Sequence, residues 1–243
     1  RNVSEFDRMQ GVLIRYPFGI SYNLIAELSQ ETNVTTIVSS SSAQNTVSNN
    51  YANQGVNLAN CTFLIAPSNS YWTRDYGPWF VQVDDEISIV NFPYNRPRPA
   101  DDEIPVEVGT MLGVDVYGMD LVHAGGNYMT CSMNKSASSE LVLEENPGLN
   151  DADINTLVEN YLGVNDYYKI PDPNGTYIDH IDCWGKFLDT DKVLLREVPE
   201  SHSQYDEIEA VVAYFESLLS AYGNPYQIFR VWIPQNQPYT NSL

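Results

Sequence analysis

The stretch from Trp79 to Phe92, WFVQVDDEISIVNF, contains two runs of alternating apolar and polar residues joined by an acidic turn. Alternation with a period of two is typical of a half-buried strand, and two such runs around a short polar turn predict a β-hairpin. Apolar residues at helical spacing follow at about Ile104–Leu112, and another strand-like run lies near Val116–Val122. This part of the chain therefore predicts a hairpin, a helix and a strand, in that order.

The same order of elements is predicted a second time, between Cys183 and Ile233. The run CWGKFLDTDKVLLREV predicts a hairpin, Gln204–Tyr222 a long helix closed by Gly223, and YQIFRVWI a strand. Each unit is roughly fifty residues long, a length at which repeat architectures are expected. A β-sandwich would lack the helices and a doubly wound α/β fold would lack the hairpins. We therefore predict repeated ββαβ modules within one domain that spans residues 1–243.

Strands and helices also alternate outside these two units. Asp151–Leu162 has the clearest helix signals, because Asn150 can cap its start and Gly163 can end it. The N-terminal part predicts three strands and two helices, namely strands at Gly11–Tyr16, Val34–Ser39 and Cys61–Ala66 and helices at Ile20–Gln30 and Ala43–Asn53.

The composition is strongly acidic, with 12 Lys and Arg against 32 Asp and Glu and a net charge of −20. Such a surface repels nucleic acid phosphates, so we expect no nucleic acid partner. No run of eighteen apolar residues is present, so we expect no membrane partner. Five Asn-x-Ser/Thr sequons and few lysines favour a secreted protein whose leader is absent from this numbering.

Cysteine and histidine are both scarce, with three residues of each. The cysteines are too scattered for a disulfide framework, and neither a CxxC nor an HExxH motif is present. The histidines do not have the spacing of zinc ligands. We therefore expect an enzyme or binding protein without a metal or other cofactor.

Polar residues that can carry chemistry cluster where predicted strands end. The four clusters are WTRDYGP (Trp72–Pro78), YNRPRPADD (Tyr94–Asp102), HAGGNYMT (His123–Thr130) and YIDHIDCWGKF (Tyr177–Phe187). Each has a structural explanation when it is taken alone. Asp75 can pair with Arg74, Gly125 and Gly126 can form a turn, and His180 and Asp182 can share one face of a strand. Their joint occurrence is what indicates a site.

The ordered motifs WTRDYGP, GGN and HIDCWGKFL closely resemble the bacterial-type peptidylarginine deiminases and the related agmatine deiminases, within the guanidino-group-modifying superfamily. YNRPRP narrows the resemblance towards the peptidylarginine branch. The resemblance implies an α/β propeller (pentein) with five ββαβ modules around a pseudo-fivefold axis, here incomplete at the C-terminus. It also implies hydrolysis of a guanidinium group to a ureido group, in which peptidyl-arginine becomes citrulline and ammonia is released.

The resemblance assigns three catalytic residues. Asp75 and Asp182 are expected to bind the planar guanidinium bidentately from two sides and to compensate its charge. His180 is expected to act as the general acid, with a pKa raised by the charges of Asp179 and Asp182.

The same resemblance assigns the substrate-binding residues. Trp72 is expected to pack against the alkyl stem of the substrate. Arg96 and Arg98 are expected to bind the α-carboxylate of a C-terminal arginine in a peptide, or else to be surface charges balanced by Asp101 and Asp102. The remaining residues expected to line the site are Asn127, Tyr177 and Asn241.

The family's nucleophilic cysteine lies in a C-terminal motif that this sequence does not contain. Three explanations remain open. The catalytic cysteine can come from a further segment or a second chain, the protein can be a non-catalytic guanidino-binding remnant, or Cys183 can be the nucleophile. The third is disfavoured, because Cys183 follows Asp182 on a predicted strand and points to the opposite face.

The leading functional hypothesis is a calcium-independent protein-arginine deiminase with arginine-containing peptides or proteins as partners. An agmatine or free-arginine deiminase is the alternative within the same chemistry, and an amidinotransferase shares the covalent step. A secreted acidic binding protein and a glycosidase that uses Asp75 and Asp182 as its acid pair are the alternatives from other classes.

Overall fold

The computed structural model of the chain describes residues 1–175, 177–232 and 240. Twelve strands in these residues form four three-stranded sheets, and each sheet uses strands that are consecutive in the chain. Local pairing of this kind places the four sheets one after another along the sequence.

The first sheet is entirely parallel. Helices α1 (Tyr22–Glu31) and α2 (Ser41–Asn53) connect its strands β1 (Gly11–Arg15), β2 (Asn33–Val38) and β3 (Cys61–Ile65). A parallel connection needs a crossover, and a helix usually supplies it. The predicted elements of this part are confirmed to within two residues at most boundaries.

Each of the other three sheets consists of an antiparallel hairpin followed by a parallel third strand. The second sheet and its helices comprise α3 (Thr73–Tyr76), β4 (Trp79–Val83), β5 (Glu86–Asn91), α4 (Pro99–Asp102), α5 (Ile104–Leu112) and β6 (Val116–Gly118). The third comprises β7 (Met129–Thr130), β8 (Lys135–Ser139), α6 (Leu141–Glu144), α7 (Asp151–Leu162) and β9 (Asp166–Ile170). The fourth comprises β10 (Gly185–Asp189), β11 (Lys192–Glu197), α8 (Tyr205–Ser217) and β12 (Gln227–Trp232).

The ββαβ module therefore occurs three times, whereas the sequence pattern indicated it twice. The additional module is built on β7 and β8, and β8 contains three fully buried serines, Ser136, Ser138 and Ser139. A buried strand normally shows apolar residues. The hydroxyl groups of Ser138 and Ser139 are hydrogen-bonded, as in the bond of 2.8 Å from the Tyr167 hydroxyl to Ser138 Oγ, and this permits their burial.

Helix ends follow the capping signals where these are present. Asn150 accepts bonds from two backbone N–H groups and forms a capping box with Asp153, and Gly163 ends α7 at φ 66°. The predicted helix over Gln204–Tyr222 is too long, because α8 ends at Ser217. Beyond it the chain is extended at Leu218, and the N–H of Ser220 donates to the Asn224 carbonyl at 2.8 Å.

The core consists of four apolar clusters, and three of them combine buried residues from two neighbouring sheets. The cluster that includes the fourth sheet contains the largest fully buried side chain of the described residues, Trp184, together with the buried rings of Phe187 and Phe215. The ring of Phe215 meets that of Phe187 edge to face, with 6.3 Å between the centroids. None of the helices in the described ranges is long and apolar enough to cross a membrane.

Truncation of Phe215 should destabilise the fourth module. Phe215 is 0% exposed in α8, so Phe215→Ala leaves a cavity and should lower the free energy of unfolding by about 3–5 kcal/mol. Phe229 on β12 is 45% exposed and provides the matched control, for which we expect a loss under about 1 kcal/mol. Urea unfolding measures both values, and equal losses would contradict the assigned core.

Candidate active site

Three short turns from separate modules meet at Gly126. Asp75 lies in α3, His180 precedes a 3₁₀ turn at Ile181–Cys183 that contains Asp182, and Gly126 lies in a second 3₁₀ turn, Gly125–Asn127. The segment around His180 was predicted as a strand, which is wrong, because its backbone closes a turn from the Ile181 carbonyl to the Trp184 N–H. The turn nevertheless directs His180 and Asp182 to the same place.

The position that a Cβ would take at Gly126 shows how closely the three groups converge. A Cβ at this position would lie 2.5 Å from Asp75 Oδ1, 2.7 Å from His180 Nδ1 and 2.9 Å from Asp182 Oδ2. His180 Nδ1 lies 3.5 Å from Asp75 Oδ1. Glycine is needed here because the backbone must approach polar groups more closely than any side chain allows. Gly125 is constrained in a similar way, since its Cβ would lie 2.1 Å from the Arg74 carbonyl oxygen.

The converging groups are shielded from water. His180 and Asp182 are 4% and 5% exposed, and the Tyr94 hydroxyl donates to Asp75 Oδ2 at 3.4 Å. Burial raises the pKa of Asp182 to about 7, and the neighbouring Asp75 charge contributes to the increase. Burial also raises the pKa of Asp75, against the hydrogen bond from Tyr94. The two acids therefore lie in a pocket that favours a cation between them.

The expected increase in the pKa of His180 is wrong for this site. Burial lowers the pKa of His180 to about 3, and the positive charge of Arg96 lowers it further. Desolvation disfavours the charged imidazolium, and it outweighs the acids nearby. Burial and the neighbouring Asp172 raise the pKa of Asp179 to about 6. The imidazole is neutral at neutral pH.

The predicted substrate-binding arginines form no ion pair with a carboxylate among the described residues, although the charge of Arg96 lowers the pKa of Asp75 and of Glu145 against the larger effect of burial. Arg96 donates only to the Asn95 carbonyl at 3.4 Å, and Arg98 to the Tyr94 hydroxyl at 3.5 Å. The alternative in which Asp101 and Asp102 balance these arginines does not hold. Asp101 is buried and accepts bonds from Asn69 and Ser70, and Asp102 accepts the Tyr94 N–H at 2.6 Å.

The other predicted lining residues lie in different surroundings. Asn127 is buried, and its Oδ1 accepts the N–H groups of Ser139 at 2.8 Å and Ile181 at 3.2 Å, which ties the two 3₁₀ turns together. Trp72 is 48% exposed beside Tyr71 and lines a cavity of about 230 Å³. Tyr177 is 90% exposed, and the structure does not bring it to the acids. Asn241 lies outside the described residues.

The three cysteines are poorly suited to act as nucleophiles. Cys183 Sγ lies 3.7 Å from Asp182 Oδ1, and burial together with the Asp182 charge raises the pKa of the Cys183 thiol. Burial also raises the pKa of Cys61 and of Cys131. Nucleophilic thiols have a lowered pKa. The raised pKa values therefore disfavour each of these three thiols as the nucleophile.

Two contributors to the site were not identified from the sequence. Tyr94 precedes the predicted arginines, and only its contact with Asp75 shows its position at the site. Glu145 accepts a bond of 2.7 Å from Asn95 Nδ2, and burial raises its pKa to about 7. Its surroundings in the sequence, LEENPG, are those of an ordinary helix end, so no signal could have indicated it.

Replacement of Asp182 by Asn should stabilise the protein at alkaline pH. The folded state holds the Asp182 proton up to about pH 7, whereas an unfolded Asp loses it near pH 4, so this carboxyl makes the protein less stable as pH rises through that window. Asp182→Asn should raise the free energy of unfolding at pH 8 by roughly 1–3 kcal/mol, and less at pH 5.

Urea unfolding at both pH values measures this difference. Asp189→Asn is the control, because Lys192 lowers the pKa of that surface carboxyl and its removal should bring no gain. Identical pH profiles for wild type and Asp182→Asn would contradict the raised pKa.

Comparison with known proteins shows which family has these motifs. The sequence profile of the Porphyromonas-type peptidyl-arginine deiminases matches residues 20–242. Two curated relatives, each named "Putative agmatine deiminase", are 27% identical. The Shewanella frigidimarina (strain NCIMB 400) protein aligns over 201 residues, 74% of this chain and 53% of its own. The Shewanella baltica (strain OS155) protein aligns over 206 residues, 76% of this chain and 54% of its own. The chain thus spans about half the length of the curated relatives that it matches.

Solved structures confirm the predicted fold. The agmatine deiminase of Enterococcus faecalis superposes with a TM-score of 0.81 at 20% identity, over 96% of this chain and 70% of that chain. The C. jejuni agmatine deiminase superposes with a TM-score of 0.77 at 16% identity, over 99% of this chain and 74% of that chain. At such identities the likeness shows the fold alone, which is the α/β propeller, or pentein. The sequence match supplies the family: the chain belongs to the Porphyromonas-type peptidyl-arginine deiminases.

Proposed function

We propose that this chain provides the guanidinium-binding site of a protein-arginine deiminase, which hydrolyses C-terminal peptidyl-arginine to citrulline and ammonia. The observation that supports this most directly is the convergence of Asp75, Asp182 and His180 on Gly126. Two carboxylates and an imidazole in one buried pocket match a planar cation that must be held still and deprotonated in the course of its reaction.

In the proposed complex the two acids would bind the guanidinium from different sides. A guanidinium has five N–H donors in a rigid plane, and carboxylates accept them in pairs. Burial raises the pKa values of Asp75 and Asp182, so the protein itself compensates their negative charges poorly. A cation that enters supplies the missing compensation, so both acids ionise around it.

The neutral state of His180 suggests the order of proton transfers. In the proposed reaction His180 first accepts the proton of a thiol, whose sulfur attacks the guanidinium carbon. His180 then passes that proton to the departing nitrogen, so a C–N bond breaks and ammonia leaves a thiouronium on the sulfur. Water attacks the same carbon with His180 as the base, and the C–S bond breaks. Overall, guanidinium and water become citrulline and ammonium.

The attacking thiol is proposed to come from another segment or a second chain. This follows from the raised pKa values of the three cysteines, above all that of Cys183 next to Asp182. A thiol close to a bound guanidinium would instead have its thiolate stabilised by that positive charge.

The preference for peptides rests on Arg96 and Arg98. Both lie on the loop that also provides Tyr94, the hydrogen-bond donor to Asp75, and neither forms an ion pair with a carboxylate of the residues described. A peptide's C-terminal carboxylate could accept bonds from such arginines bidentately. Arginine-containing peptides or proteins are therefore the proposed partners.

The second candidate function is an agmatine or free-arginine deiminase. The curated relatives are each named "Putative agmatine deiminase", and a pair of acids can bind a guanidinium whether or not the substrate also carries a carboxylate. Agmatine has no carboxylate, so Arg96 would have nothing to bind in that case. A non-catalytic guanidino-binding protein is the remaining alternative.

Citrulline formation by the natural protein tests the proposal. The wild type should release citrulline from a peptide that ends in arginine, and Asp75→Asn and His180→Ala should abolish this activity. A wild-type rate equal to that of these two variants would exclude the enzyme and leave a binding protein.

Gly126→Ala should abolish function without unfolding the protein. The added methyl group would occupy the point where the three polar groups meet, so we expect a loss of activity of at least about 100-fold. Gly148→Ala is the matched control, since a Cβ there meets no atom within 4 Å. Kinetics with the peptide measure both variants. Normal activity of Gly126→Ala would refute the location of the site.

Arg96→Ala separates the two candidate substrates. If Arg96 binds a carboxylate, its removal should lower kcat/KM for the C-terminal arginine peptide about 10- to 100-fold. Agmatine turnover should be kept, because that substrate lacks the carboxylate. Arg8→Ala removes an exposed arginine and serves as the control. An equal loss on both substrates would eliminate the peptide assignment.

A further inference from the structure

Arg74 carries the same chemical group as the proposed substrate and is adjacent to Asp75 in α3. Its positive charge lowers the pKa of both Asp75 and Asp182, so the guanidinium lies near the two acids. A side chain tethered this close has an effective concentration on the order of millimolar or more for the acid pair. It would therefore compete with a substrate unless something held it elsewhere.

Glu5 is the residue that binds Arg74. Glu5 Oε1 forms an ion pair with Arg74 Nη2, and Glu5 Oε2 lies 3.0 Å from Lys186 Nζ. Lys186 belongs to β10, which begins directly after the turn that contains Asp182. One carboxylate thus bridges a cation from each of the two segments that supply the acids. All three side chains are partly buried, which reduces screening of the ion pairs by water.

The N-terminal segment around Glu5 is fastened to the fold. The Val3 N–H donates to the Phe80 carbonyl at 3.0 Å, and the Ser4 N–H donates to Ser132 Oγ at 2.8 Å. Asn2 is buried and donates to the Tyr128 hydroxyl at 2.7 Å. These bonds connect the segment to the second and third modules. Glu5 consequently reaches Arg74 from a backbone whose position is set.

We propose that Glu5 is a positioning residue that holds Arg74 outside the space between Asp75 and Asp182, so that this space remains open to a guanidinium substrate. The inference rests on the proposed function for the identity of the substrate. Arg74 stays close enough for its charge to act on the acids, but its Nη2 is paired with Glu5. The pair of residues thereby prevents the protein from inhibiting itself.

Glu5→Gln tests the inference, because it removes the charge and keeps the shape of the side chain. A crystal structure of this variant should show the Arg74 guanidinium turned onto Asp75 and Asp182. Calorimetry with agmatine and with a C-terminal arginine peptide should show a Kd at least tenfold higher than that of the wild type. Glu209→Gln breaks another partly buried Glu–Arg pair, with Arg230, and should leave binding unchanged.

A double variant separates competition from a loss of structure. Glu5→Gln combined with Arg74→Met removes both charges together, so the net charge near the acids is unchanged while the competing group is gone. Binding by the double variant should return to within about threefold of the wild type. Binding as weak as in Glu5→Gln alone would overturn the inference, since Glu5 would then act through the fold.

The crystal structure of Glu5→Gln tests the position of Arg74 directly and requires no substrate. If Arg74 still points to residue 5 in the Glu5→Gln crystal structure, the inference is wrong, whatever the protein binds. If the wild type binds neither agmatine nor the peptide while Arg74 moves onto the acids in the variant, the proposed function fails and the positioning role of Glu5 stands.

Discussion

Two carboxylates that share one buried pocket repel each other, and the surroundings of Asp75 and Asp182 offset only part of that repulsion. Asp75 accepts bonds from the Tyr94 hydroxyl and the Gly126 backbone, and Arg74 contributes a positive charge to both acids. Burial still raises the pKa of both groups. The negative charge of the two acids is therefore costly, and the rest of the architecture holds them together despite that cost.

The fold meets this requirement by bringing ends of different modules to one point. Asp75 precedes the second sheet, Gly126 precedes the third, and His180 and Asp182 precede the fourth. The amide of Asn127 joins two of these turns through backbone bonds, and Thr240 donates to the Asp182 carbonyl at 2.7 Å. Because each turn is anchored to its own sheet, a shift of one acid requires movement of packed elements, which close-packed interiors resist.

Sequence patterns predicted the parts of the fold that depend on local signals. The hairpin at Trp79–Phe92 and the capped helix at Asp151–Leu162 are present as expected, because alternation and capping act over a few residues. The third module was not recognised, because Ser138 and its neighbours are buried in β8 through hydrogen bonds rather than through apolar surface. Polar residues of this kind show no periodicity that indicates burial.

The site was predictable as a set of residues but not as an electrostatic environment. The motif resemblance indicated Asp75, His180 and Asp182, and these three do converge. The direction of the His180 pKa shift could not be obtained in this way, because it depends on burial and on Arg96, which lies 84 positions away in the chain. Glu5 and Arg74 are also far apart in the sequence, and no pattern around Glu5 indicates their ion pair.

The titration of Asp182 near neutral pH has a consequence for the exit of the product from such a site. A deiminase turns a cationic guanidinium into a neutral ureido group. Two ionised acids would then face a product that carries no positive charge to compensate theirs. With a pKa raised to about 7, Asp182 can recover a proton once the positive charge of the substrate has gone. In the proposed reaction the protonated acid would become a hydrogen-bond donor, and the site would carry less negative charge as the neutral product departs.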